Sequence, residues 1–169
     1  MIRWIYYPNS DKPDDFVLSI VNVFKSCADT INSNEKKHQP SDDVLSVVRS
    51  GFEYIGFMVE RGKKKAEKIY VPVLFGMNGQ VAKYFEADSY HTEKRWVVEV
   101  EAGRAYTNYQ FLKDYFQASV MHGVDYLGIA VRNDYRGRDD FLKVKDFFDT
   151  LYASEKMKCS LRGVLLIGY

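Results

Sequence analysis

The sequence predicts a mixed α/β fold, a central mixed β-sheet flanked by helices. Three observations carry that expectation. Helical-period and strand-like apolar runs alternate along the chain. An Asn78-Gly79 pair joins two strand-like runs as a hairpin. The second half then reads strand, helix, strand, helix, strand, the crossover series that produces parallel pairs.

The elements follow in order. Residues 2–7 are rich in strand formers and stop at Pro8. Asp11 and Pro13 mark a helix start, and Phe16, Val17, Ile20, Val21, Phe24, Ala28 and Ile31 continue it at helical spacing. The polar stretch 32–40 is short enough to be a loop, so one domain is expected over 1–169. A second helix begins at Ser41, with Asp42 and Asp43 in the first turn, where the helix dipole favours acids. Val44, Val48, Gly51, Ile55 and Met58 form its stripe, and Gly62 is its expected C-cap. Strand-like runs cover 69–75, 81–88 and 95–101, and Pro72 leaves the first of them an unpaired side. Thr107 and Gln110 have capping-box spacing ahead of a helix bearing Phe111, Leu112, Tyr115, Phe116 and Val120. Residues 125–132 form a strand, a helix starts near Asp139, and 163–169 form the last strand.

Composition is that of a globular chain long enough to bury a real core. Net charge is +1, so affinity for nucleic acid has to come from local patches. The strongest basic run is 61–65, where Lys63 and Lys64 are either a solvated helix end or phosphate contacts. No apolar run approaches the roughly 20 residues of a membrane span. The N-terminus lacks a signal-peptide pattern, and Cys27 and Cys159 read as reduced thiols. A cytoplasmic location is therefore expected. His38 and His122 have no partners at metal-ligand spacing, and His91 falls in an apparent loop between two acidic runs.

The chemistry is concentrated in three acids. Strand side chains alternate between faces, so Glu99 and Glu101 share one face while Trp96, Val98 and Val100 turn to the other. Asp88 ends the preceding strand and is expected to converge with them. Unneutralised carboxylates at close range repel, and a divalent cation removes that repulsion. Oxygen-only ligands suit Mg²⁺ or Mn²⁺. From the residues alone, a metal site and a hydrated acidic face remain equally open.

Asp88 followed by Glu99-Val100-Glu101, on a helix, three strands, a helix and a strand, resembles the PD-(D/E)XK, or restriction-endonuclease-like, superfamily. The resemblance covers roughly 41–132 and implies a restriction-endonuclease-like core. It implies that Asp88, Glu99 and the Val100 carbonyl hold Mg²⁺ or Mn²⁺. It also implies a nuclease that hydrolyses DNA phosphodiester bonds, working as a homodimer so that both strands are cut. Ala87 stands where the family has Pro, and Glu101 where it usually has Lys. Glu101 is then a further ligand, a water-orienting base, or the mark of a non-catalytic protein that binds nucleic acid or a partner protein. Related nucleases add an acid from the helix before the sheet, which makes Glu53 an auxiliary candidate. Lys113 is a candidate for the missing Lys, and Gln110 is similar in position to a Gln of recombination-type nucleases. The loop 132–138 offers Arg132, Arg136 and Arg138 as DNA contacts.

Overall fold

The computed structural model describes every residue except Lys37, His38, Arg104 and Cys159. The expectations for His38 and Cys159 thus lie outside the described residues. The chain begins with β1 (Arg3–Tyr7), α1 (Asp15–Ser26), α2 (Ala28–Ile31) and α3 (Ser41–Tyr54). Five strands follow: β2 (Met58–Val59), β3 (Ile69–Phe75), β4 (Val81–Ala87), β5 (Ser89–His91) and β6 (Trp96–Glu101). The remainder is α4 (Gln110–Val120), β7 (Tyr126–Val131), α5 (Asp140–Ser154) and β8 (Gly163–Gly168).

Six strands form one sheet in the order β1-β8-β7-β6-β5-β2. β6, β7 and β8 run parallel, while β1, β5 and β2 pair antiparallel at the flanks. The predicted mixed α/β architecture is therefore present. Period-two alternation splits the central strands between two cores. Trp96, Val98, Val100, Leu165 and Ile167 pack against α1 and α3 through Val17, Ile20, Phe24 and Phe52. Val97, Leu127, Ile129 and Leu166 pack the other way, against α4 and α5 through Phe111, Tyr115 and Phe148. Each such side chain contributes about 1.5–3 kcal/mol when buried. Together they fix the sheet between its helical layers. No helix among the described residues is long and apolar enough to cross a membrane.

Local signals place several boundaries differently from the sequence expectations. α1 starts at the Asp14 N-cap, whose carboxylate accepts the Val17 N–H at 2.8 Å. The first helix breaks at Cys27 instead of running on to Ile31. α3 ends at Tyr54, well before Gly62, because Gly56 takes a φ of +96°. That left-handed backbone is open to glycine and strained for other residues. A Cβ on Gly56 would also lie 2.7 Å from His91 Nε2. We expect Gly56→Ala to lower stability by about 1–3 kcal/mol in urea denaturation, from backbone strain and displacement of the His91 ring. The capping box is not formed either. Tyr109, at φ 52°, is the N-cap of α4, and the Thr107 hydroxyl instead accepts from Arg138 at 2.7 Å.

The largest difference concerns the sheet. β3 and β4 form a hairpin of their own and do not join the six strands. Asn78 and Gly79 turn it, both at positive φ. The neighbour of β6 is β5, three residues that read as loop because so short a run carries no visible period.

Candidate active site

Strand register assembles the site. β2 pairs with β5 as Met58 to Tyr90 and Val59 to Ser89, and the Glu60 N–H continues that ladder to the Asp88 carbonyl at 2.8 Å. β5 pairs with β6 as Ser89 to Val98, so one step further along places Asp88 beside Glu99. Residues opposite one another in an antiparallel pair share a face. Glu60, Asp88 and Glu99 therefore form a row across three strands, and Glu101 lies two residues beyond Glu99 on the same face. This is the face covered by α4, which adds Asp114.

These acids line a cleft of about 160 Å³, together with Ser41, Glu86, Val100, Lys68, Lys113 and Gln117. Asp88 is held at the edge of β6, where its Oδ2 accepts the Val100 N–H at 2.8 Å. The Asp88 N–H in turn points to Glu99 Oε2 at 3.4 Å. The Asp114 carboxyl neighbours that of Glu101, whose charge favours the protonated form of Asp114. Lys68 Nζ sits 2.8 Å from Glu60 and 3.4 Å from Glu86, so those two acids already have a counter-ion.

Electrostatics follow from this packing. Burial pushes the Asp88 carboxyl up to about 7, against the Val100 N–H, which favours the anion; Glu60 and Glu101 push it further and Lys68 pulls it back. Burial raises Glu99 well above the usual carboxylate range, with Asp88 and Asp114 adding repulsion. Asp114 is pushed up to about 8 by burial and by Glu101, with Lys113 opposing. Burial first, and mutual repulsion after it, thus make these neighbouring acids hold their protons more tightly than free carboxyls do. Their donors are all hard oxygens, the set that Mg²⁺ and Mn²⁺ accept. Among the described residues, buried Asp114 Oδ2 has no hydrogen-bond partner. The donor chemistry fits such a cation. A closed cage does not stand ready, since no three His, Cys, Asp or Glu among the described residues are already arranged around one point.

The other expected residues fall elsewhere. Glu53 pairs with Arg61 at 2.8 Å outside the cleft, and Glu60 is the acid that reaches it from this part of the chain. Gln110 starts α4 away from the lining, and Gln117 lines the cleft instead. Lys113 does line it, 4.0 Å from Asp114 Oδ1. His91 is no loop residue but is buried on the opposite face of the sheet, edge-on to Phe16 and Phe57. Arg132 is 2% exposed and donates to the Gln39 carbonyl at 2.7 Å, so it braces the fold and is withdrawn from any surface ligand. Arg138 binds Asp140 at 2.6 Å between the Tyr106 and Tyr135 rings. Arg136 and Lys64 are exposed, and Lys63 is exposed beside Asp42.

Glu60, Lys68 and Asp114 escaped sequence reasoning. For Asp114 a signal existed. It lies between Phe111 and Ala118 on the buried stripe of α4, where an acid needs a reason to be.

No family model matches the sequence, and no curated protein matches it. Among solved structures the chain is similar to the restriction endonuclease BglII complexed with a DNA 16-mer. The TM-score is 0.49 and the identity 8%, over 99% of this chain and 77% of that one. At that score and identity the likeness carries no argument, and the mixed α/β architecture stands on the sheet order alone.

Proposed function

We propose that this chain is a divalent-metal-dependent nuclease that hydrolyses DNA phosphodiester bonds on a restriction-endonuclease-like core. The observation that carries the proposal is the row of Glu60, Asp88 and Glu99 across three strands, with Glu101 and Asp114 closing the same cleft. Asp88, Glu99 and the Val100 carbonyl hold Mg²⁺ or Mn²⁺, and Glu101 is the third catalytic carboxylate. When bound, the cation supplies Lewis-acid stabilisation to the phosphoryl oxygens. The chain's own groups do the rest. Val100 N–H fixes the Asp88 carboxylate in its orientation. Lys68, tied to Glu60, keeps its positive charge in the cleft wall, where it attracts a phosphate. Exposed Lys63, Lys64 and Arg136 add sequence-independent backbone contacts. The working form is a homodimer, because one cleft addresses one strand.

The test is cleavage of plasmid DNA by the purified chain. Cleavage in Mg²⁺ or Mn²⁺, none in EDTA, and loss in Asp88→Asn are the expected results. Cleavage that persists in EDTA, or full activity of the variant, sinks the proposal. Salt-sensitive DNA binding without cleavage in either ion would identify a non-catalytic binder on the same scaffold, in keeping with Glu101 at the usual Lys position.

A further inference from the structure

We infer that the cleft continues into a subsite for one unpaired nucleobase, held between β4 and α4 beside the scissile phosphate. The inference rests on the nuclease reading of the acidic cleft. It names the kind of DNA that the cleft takes, a strand with one base turned out of the stack.

A second cavity, of about 250 Å³, is lined by Tyr84, Phe85, Glu86, Lys113 and Gln117. The last three also line the acidic cleft, so the two spaces share a wall. Consecutive strand residues alternate between faces, so a cavity touching 84, 85 and 86 lies along an edge of β4. It is the edge turned away from β3. Pro72, which has no N–H, stands opposite Tyr84, and its carbonyl accepts the His122 N–H at 2.7 Å. That pair therefore points its backbone groups outward, and the pair Tyr70 and Glu86, two residues along, does the same. Among the described residues, the outward N–H and C=O groups of Tyr84 and Glu86 bond to no other element.

The side chains along this edge are open as well. Tyr84 is 45% exposed, and its ring meets Tyr70 edge-to-face with centroids 4.6 Å apart. Gln117 is half-buried, and among the described residues its amide makes no hydrogen bond. Lys113 is exposed, with Asp114 4.0 Å away. An uncovered ring, a free amide and a strand edge of donors and acceptors are what a planar heterocycle with a polar rim requires. A base stacks on Tyr84, and its rim meets the Gln117 amide and the β4 edge. Lys113, on the shared wall, faces the phosphate that joins this base to the cleft. The cavity is smaller than the roughly 300–1,000 Å³ of pockets for drug-sized ligands, so it admits one base and not a base pair. A paired base reaches it only by leaving the duplex, which costs pairing and stacking energy. DNA in which that base is already unpaired is spared the cost.

The experiment uses two duplexes that differ in one place. A single 5-iodouracil is bulged out of the first and paired in the second. Their phosphate charge is nearly the same, so sequence-independent backbone contacts cancel. Affinity for the full chain is read by fluorescence anisotropy, and the residue that cross-links on irradiation by mass spectrometry, in EDTA and, at short times, in Mn²⁺. Cleavage in Mn²⁺ is scored separately. The expected results are tighter binding of the bulged duplex and a cross-link at Tyr84. Tyr84→Ala is expected to weaken binding of the bulged duplex about 5- to 150-fold, and Tyr84→Phe, which keeps the ring, to retain it. Gln117→Leu is expected to weaken it about 2- to 10-fold. Circular dichroism and a cooperative melt verify that each variant is folded. Equal affinity for the two duplexes, or a bulged duplex bound as tightly by Tyr84→Ala as by wild type, overturns the subsite; continued cleavage in Mn²⁺ then leaves the nuclease reading in place. Tyr84-dependent binding with no cleavage in Mn²⁺ or Mg²⁺ keeps the subsite and overturns the nuclease reading. No binding of either duplex overturns both.

Discussion

Glu99→Gln is expected to abolish metal-dependent cleavage while making the cation-free protein more stable. Glu99 occupies the most crowded point of the cleft, with Asp88 on the neighbouring strand and Asp114 on α4 both adding repulsion to burial. A neutral amide of the same shape removes the buried charge but supplies no anionic ligand. Loss of an outer-shell partner costs a metal site up to about 100-fold in affinity or activity, so loss of a ligand is expected to cost at least that. Stability moves the other way. Burial and the neighbouring acids hold the Glu99 carboxyl well above its ordinary range in the folded chain, so its ionisation at pH 8 in EDTA opposes folding, and replacing it by an amide removes that opposition. The expected readout is a rise in the melting temperature of the cation-free protein. The opposite signs are diagnostic. A merely solvated acid would move neither readout, and a purely structural one would lower stability. Retained cleavage, or a lower cation-free melting temperature, would count against the assignment.

The second large effect is on pH dependence. Asp88 and Asp114 are raised to about 7 and about 8 in the folded chain, whereas unfolded Asp titrates near 3.9. Between those limits the folded state binds more protons than the unfolded state, so stability falls as pH rises. The contribution is fully present below about pH 4 and is lost as pH rises through about 7 and 8. His91 works in the opposite direction, because burial lowers its pKa. It loses stability for the fold as pH drops through about 6.5, and it is neutral in both states above pH 7. A series of melts in EDTA from about pH 7 to 9 therefore isolates the acids, and a falling melting temperature is expected. Divalent cation should restore it, because a ligand at 100 times its dissociation constant adds about 2.7 kcal/mol. That corresponds to about 5–10 °C for a chain of this size. A flat profile in EDTA with no response to Mg²⁺ or Mn²⁺ would contradict this electrostatic account of the cleft.

What the sequence makes legible is periodicity. The apolar stripes of α1, α3 and α5, the Asn78-Gly79 hairpin and the three parallel strands all announce themselves through spacing. So does the common face of Glu99 and Glu101, because strand alternation is rigid geometry. What it conceals depends on pairing between distant segments. β2 and β5 are two and three residues long, too short to show a period, and yet they put Glu60 and Asp88 in line with Glu99. Glu53 is the natural helix candidate, but Gly56 ends α3 early and turns the chain so that Glu60 arrives in its stead. Arg132 reads as a surface contact because an arginine after a strand usually is one. Here the carbonyls of Lys36 and Gln39 accept from it, and it hydrogen-bonds the Tyr169 side chain.

Asp88 is the single residue between β4 and β5, and so the point where the chain passes from the hairpin to the main sheet. Glu99 is fixed differently, within a strand bonded to β7 along its whole length. The hairpin is held at that end, because Val71 and Ala87, at the base of its seven-residue arms, are buried in the core beneath α4 and α5 while the Asn78 tip is exposed. Burial on one side and the three-residue β5 on the other thus anchor Asp88 independently of the tip.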